Sequence, residues 1–190
     1  MRPTQLIAPL LSLSLVACAT GPTDGPDEMV DRTAYPEAEF GIEEGDVIEN
    51  HGFTLVDGTA TDFQAFRAND DNKLMLLSTA AGWCGACREE QGVLQELADT
   101  HGSDGLVVLV TIFEDNNNQV ADTDFVQGWI DQYSLTFDVV LDAPFVMDAY
   151  YDSTLTPMNM FIDLDTMEIV RITVGFDRSV VDAIILSQLG

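Results

Sequence analysis

Two stretches of the chain are apolar without interruption: "KLMLLST" (73–79) and "GLVVLVTIF" (105–113). Short continuous runs bounded by polar residues predict strands buried on both faces. Between them, "CREEQGVLQELAD" (87–99) changes period. Val93, Leu94 and Leu97 form one apolar face, and Glu89, Glu90 and Glu96 fall mostly outside it. That spacing predicts an amphipathic helix. "DTDFVQGWIDQYS" (122–134) reads as a second helix with aspartate caps, and "FDVVLD" (137–142) as a short strand. "PFVMDAYY" (144–151) reads as a helix opened by proline. "MNMFIDL" (158–164) and "EIVRITVG" (168–175) alternate around a tight "DTM" turn, which predicts a hairpin, and "RSVVDAIILSQL" (178–189) closes with an amphipathic helix. One short strand, "GFTLVDG" (52–58), comes first, with a turn at Asp57-Gly58. Strands alternating with helices predict an α/β domain. Its sheet is mixed and mostly parallel, flanked by helices, with an antiparallel edge from the late hairpin.

Polarity outside this region divides the chain. Residues 6–16, "LIAPLLSLSLV", follow Arg2 and form an apolar run of secretory length, too short to span a bilayer comfortably. The run ends in "LVAC" (15–18). This resembles the lipobox of bacterial lipoproteins, which implies a signal peptide over 1–17, lipid on Cys18 and a membrane-anchored protein outside the cytoplasm. Ala19 after the cysteine favours outer-membrane sorting by the rule of enteric-type bacteria. Residues 19–45 are rich in proline, glycine and acid, a composition that predicts a solvated tether over 18–45 and a folded domain over 46–190.

The charge balance narrows the partners. The 190-residue chain carries 33 acidic residues against 7 basic ones, a formal net charge of −26. Such a surface repels nucleic acid phosphates and anionic headgroups, so no nucleic acid partner is expected. The acidity serves solubility, or steering of a basic partner that salt would weaken.

The candidate chemistry lies in "AAGWCGACREE" (80–90), where Cys84 and Cys87 sit between a buried strand and a helix. Three readings compete. A structural zinc site needs about four ligands. With Cys18 lipidated only two thiols remain, and neither His51 nor His101 lies in a ligand pair. A structural staple closing so small a loop removes little entropy from the unfolded chain. A redox pair suits the βαβ setting. A cysteine at a helix N-terminus meets unpaired N–H groups and the positive end of the macrodipole. Both favour thiolate, so the pKa of Cys84 should fall below the free value of about 8.5. Cys84 would attack a substrate disulfide and Cys87 would resolve the mixed disulfide. Gly85 and Ala86 leave the first sulfur accessible, and Trp83 offers a flat apolar surface beside it.

"GWCGACREE", with "DSTLTPMNMFID" (152–163) downstream, resembles the thioredoxin superfamily, and within it the membrane-tethered, TlpA-like thiol–disulfide oxidoreductases. The resemblance covers residues 45–190 and implies a thioredoxin-like fold. It also implies a cis bond at Thr156-Pro157 that presents backbone to an extended substrate, and a proton-managing role for Glu90. Arg88 reads as an exposed salt-bridge partner. The resemblance further implies a monomer that needs no cofactor beyond its own dithiol. It would reduce protein disulfides, as in cytochrome c maturation, with electrons from an upstream donor. Three departures stand out. Gly85-Ala86 replaces the family's proline-bearing dipeptide, Ser78 stands where thioredoxin proper has a buried aspartate, and Gln91-Gly92 replaces a proline that many tethered relatives carry. Two other functions stay open: a peroxidase, although Ala81 stands where peroxiredoxins have threonine, and a binding module with an idle pair.

Overall fold

A computed structural model describes residues 30–190; the leader, Cys18 and residues 19–29 lie outside the described part. The two uninterrupted apolar runs become β3 (Leu74–Ala81) and β4 (Leu106–Glu114), paired in parallel at the centre of a seven-stranded sheet. On one flank β4 pairs in parallel with β5 (Asp138–Leu141). On the other, β3 pairs antiparallel with β6 (Met158–Asp163), which turns back into β7 (Ile169–Val174). The remaining edge is a hairpin of β1 (Gly52–Thr54) and β2 (Ala60–Asp62), with β1 antiparallel to β5. The sheet is therefore mixed. The expectation of mostly parallel pairing holds for the three central strands, whereas both flanks are antiparallel. The second antiparallel flank arises because the stretch after Asp57-Gly58 returns as β2, where sequence predicted a single strand.

Every residue of β3 is buried, and its alternation sorts the core into two clusters. Leu74, Leu76 and Ala80 face one side. There they join Leu94 and Leu97 of α2 (Gly85–His101), Val126 and Trp129 of α3 (Thr123–Tyr133), and Val181 and Ile185 of α4 (Arg178–Leu189). Met75 and Leu77 face the other side with Phe53, Met147, and Phe63 and Phe66 of α1 (Phe63–Arg67). This arrangement holds both ends of β3 in fixed positions. Its C-terminal end leads directly into the Cys84 loop. Gly92 does not break α2, which runs on through it.

Two expectations need correction. Residues 144–151 do not form a helix from Pro144. Phe145 is left-handed (φ 54°, ψ 54°), a conformation that costs about 1–2 kcal/mol outside glycine, and only a 3₁₀ turn over Val146–Tyr150 follows. The buried Asp142 carboxylate caps that turn, accepting the N–H groups of Val146 (2.8 Å) and Met147 (3.2 Å).

Nor is the stretch before Asp46 wholly a tether. Arg32 is buried: its Nε and Nη2 donate to Asp165 (2.9 and 2.5 Å), and Nη1 donates to the carbonyls of Arg67, Asn69 and Asn72. Arg67, also buried, returns bonds to the carbonyls of Asp31, Ala34 and Asp165. The docked part thus begins near Asp31. Composition hides this because the contacts span up to 133 positions in sequence. Among the described residues, no helix is long and apolar enough to cross a membrane.

Candidate active site

Cys84 sits at the N-cap of α2, and its sulfur accepts the N–H of Cys87 at 3.0 Å. The two cysteines are joined in a disulfide. They are not equivalent: Cys84 keeps 4% of its surface exposed and Cys87 none, so an incoming group meets Cys84 first.

The peptide bond Thr156-Pro157 is cis, as the resemblance implied. It lies against the disulfide, with the Thr156 carbonyl oxygen 3.7 Å from Cys84 Sγ. Trp83 borders the same opening. Its indole is 36% exposed, its Nε1–H donates to Glu114 at 2.7 Å, and its ring meets Phe113 edge-on. The loop that carries Trp83 is held tightly. A Cβ on Gly82 would come within 2.5 Å of Asn116 N and 2.7 Å of Phe125 Cζ, so glycine alone fits there. Arg88 closes the loop from behind by donating to the Gly82 carbonyl at 2.6 Å. It has no carboxylate partner among the described residues, so its expected salt bridge is replaced by a bond to backbone.

Glu90 is 4% exposed, although the helical pattern placed it outside the apolar face. Its carboxylate accepts the Ser78 hydroxyl at 2.6 Å and lies 3.5 Å from the Asn159 amide. Burial pushes its pKa up to about 7 against these two donors, which favour the charged form. Ser78 and Glu90 thus explain each other. The strand offers a donor where thioredoxin proper offers an acid, and the helix supplies the carboxylate. A shallow cleft of about 250 Å³, lined by Ala86, Glu89, Glu90, Val93 and Phe176, opens beside it.

Sequence reasoning missed three polar residues here. Asn159 braces Glu90 and also bonds the Gly175 carbonyl at 3.2 Å. Thr79 lies beneath the pair, its carbonyl 3.8 Å from Cys87 Sγ and its Oγ1 accepting Met158 N–H at 2.9 Å. Tyr151 bridges Thr79 Oγ1 (3.0 Å) and Thr156 Oγ1 (2.8 Å). Thr156 gives its own hydroxyl proton to the Ser153 carbonyl, which makes Tyr151 the donor to Thr156. Thr79 had a signal, three residues before Gly82 of the redox loop. Tyr151 had none, because its partners are set by tertiary packing.

The comparisons with known proteins agree with this geometry. The AhpC/TSA family matches residues 48–178. The thioredoxin-like protein YneN of Bacillus subtilis is 27% identical over 131 residues, 68% of this chain and 71% of that protein. Among solved structures, a putative thiol:disulfide interchange protein DsbE from Chlorobium tepidum superposes with a TM-score of 0.65 at 19% identity, covering 79% of this chain and all of that one. The exposed lipoprotein thioredoxin of Streptococcus pneumoniae superposes with a TM-score of 0.56 at 22% identity, covering 74% of this chain and 98% of its own. The fold shared with these structures is thioredoxin-like, and the family match across the whole dithiol region leads to one conclusion: this chain belongs to the AhpC/TSA family.

Proposed function

We propose that the protein is anchored outside the cytoplasm by lipid on Cys18, with the outer membrane favoured, and there reduces protein disulfides as a monomer. Cytochrome c maturation or general thiol redox would be its setting, and an upstream dithiol its electron donor. The observation that carries the chemical part is the asymmetry of the pair. Cys84 is the sulfur at the opening, at a helix N-terminus, with a backbone N–H aimed at it. These features stabilise a thiolate. In the reduced protein the Cys84 thiolate attacks one sulfur of a substrate disulfide. A mixed disulfide forms, and the other substrate sulfur leaves as a thiolate that takes up a proton. Cys87 then loses its proton and attacks Cys84. This releases the second substrate thiol and closes the Cys84–Cys87 disulfide. The substrate gains two electrons and the protein loses two; the donor dithiol restores them.

Glu90 serves as the proton acceptor for Cys87 in this scheme. A carboxyl with a pKa near 7 exchanges protons readily at neutral pH, and Glu90 follows Cys87 by one helical turn. Trp83, Thr156 and Pro157 form the surface that meets the substrate. "LVAC" at 15–18 supports the anchor, and the pneumococcal structural neighbour is itself an exposed lipoprotein.

Three experiments test the proposal. Protein without its leader should reduce insulin disulfides when given dithiothreitol, and Cys84→Ser should not. Cys87→Ser should trap substrates on Cys84 as stable mixed disulfides. A wild-type rate at background, with rapid thiol-dependent consumption of peroxide instead, would overturn disulfide reduction in favour of peroxidase chemistry. For the anchor, a clickable fatty acid should label the full chain in cells and leave Cys18→Ser unlabelled.

A further inference from the structure

The two walls of the Cys84 opening are linked by a continuous row of aromatic rings. Trp83 meets Phe113 edge-on, with centroids 6.2 Å apart. Phe113 stacks flat on Phe145 at 3.7 Å and 7°. Phe145 meets the edge of Tyr151 at 6.4 Å. Tyr151 ends the row with its hydroxyl 2.8 Å from Thr156. Both ends are pinned by polar bonds, Trp83 to Glu114 and Tyr151 to Thr79.

The middle of the row carries a backbone that only a strong constraint sustains. Phe145 has φ of 54°, which is an outlier for a bulky residue. Asp142 imposes it: its carbonyl accepts Phe145 N–H, its carboxylate caps the turn that follows, and its own N–H is tied to the Ile112 carbonyl beside Phe113. A ring needed only to fill the core requires no left-handed backbone, and Phe145 is only half-buried. Its conformation places the ring flat on Phe113, where it joins the two walls. Local strain of this kind collects where geometry serves function.

We infer that Phe145 and Tyr151 are positioning residues that fix the spacing between Trp83 and Thr156, and so set how tightly an extended peptide disulfide is held over Cys84. The inference rests on Trp83 and Thr156 being the walls that contact substrate. Neither positioning residue hydrogen-bonds the reacting sulfurs, so the effect falls on binding and not on the thiol chemistry.

The test uses a cysteine-bridged peptide and a small aromatic disulfide, 5,5′-dithiobis(2-nitrobenzoate), with the reduced protein. Phe145→Ala should raise KM for the peptide about tenfold, with kcat and the rate on the small disulfide changed less than about twofold. Tyr151→Phe, which removes one oxygen, should raise the peptide KM about threefold. Phe145→Tyr keeps the stack and should restore the wild-type KM. Peptide KM values unchanged in both Phe145→Ala and Tyr151→Phe, or equal losses on both substrates, would overturn the inference. A second readout needs no turnover. In a Trp129→Phe background Trp83 is the remaining tryptophan. Its quenching by acrylamide should increase in Phe145→Ala, and unchanged quenching would overturn the coupling. A wild type that reduces the small disulfide and no peptide would instead overturn the reading of the walls as a substrate site.

Discussion

The two ends of β3 bury charge in opposite ways. Near its start, the guanidinium groups of Arg32 and Arg67 share eight hydrogen bonds, to six carbonyl oxygens and to the Asp165 side chain. Towards its end, the Glu90 carboxylate has one short bond and one long one. Burial penalises charge in both places. At the arginine end the penalty is met by partners, and the charge becomes structural. At the glutamate end it is met in part, and the proton affinity of the group rises instead. The difference separates a clamp from a chemical group. A clamp needs most of its donors occupied, and of the six guanidinium nitrogens here only the buried Arg67 Nε lacks a partner among the described residues, whereas a group that exchanges protons must be stable both with its proton and without it.

This contrast can be broken at either end. The largest effect is expected at Arg67. Arg67→Ala strands the carbonyls of Asp31, Ala34 and Asp165 and should cost about 3–5 kcal/mol, read from urea unfolding. The thiol reactivity of the molecules that remain folded should not change. A cost below about 1 kcal/mol would mean that the clamp is no better than a surface ion pair.

Glu90→Gln should act with the opposite sign. The folded-state pKa is raised above the ordinary carboxyl value, so the folded protein holds more protons than the unfolded chain between about 4.5 and 7. Its stability therefore falls as pH rises through that window, and the loss is complete above it. Glutamine removes the loss. The variant should match wild type near pH 4 and exceed it at pH 8 by up to about 3 kcal/mol, while disulfide reduction at pH 7 slows about a hundredfold. Equal stability at both pH values would show that Glu90 carries no buried-charge penalty.

The smallest effect is expected at Ser78. Ser78→Ala removes the hydroxyl that favours ionised Glu90, so the carboxyl pKa rises further. The rise of kcat with pH should move upward by about half a unit to one unit, at a stability loss near 1 kcal/mol. An unmoved pH profile would detach Glu90 from the rate-limiting proton transfer.

Much of this molecule could be read from local pattern. β3 and β4 were legible because buried strands have no polar interruption, and α4 because its apolar positions keep a helical spacing. α1 escaped notice because five residues hold too little periodicity to register. The dithiol and the cis bond at Pro157 were legible from motif. The burial of Glu90 was not, because a helical wheel places it on the polar side, and Ser78 and Asn159 come from strands 12 and 69 positions away in sequence. Phe145 defeated the helix reading for a related reason: Asp142 and Phe113 dictate its backbone, whereas Pro144 had suggested a helix start.

Under the proposed anchor on Cys18, the arginine clamp would also shorten the leash. Counted from Cys18 to Asp46, the connection would be 28 residues, with a fully extended reach of about 95 Å. Counted to Arg32 it is 14 residues, and the reach falls to about 50 Å. The leash also joins the domain at the start of β3, whereas the dithiol follows its other end, roughly 25 Å away along the strand. A domain moored by the proposed lipid on Cys18 would sweep a shallow layer above its anchoring surface and would present its reactive sulfur outward, to partners that come from the far side.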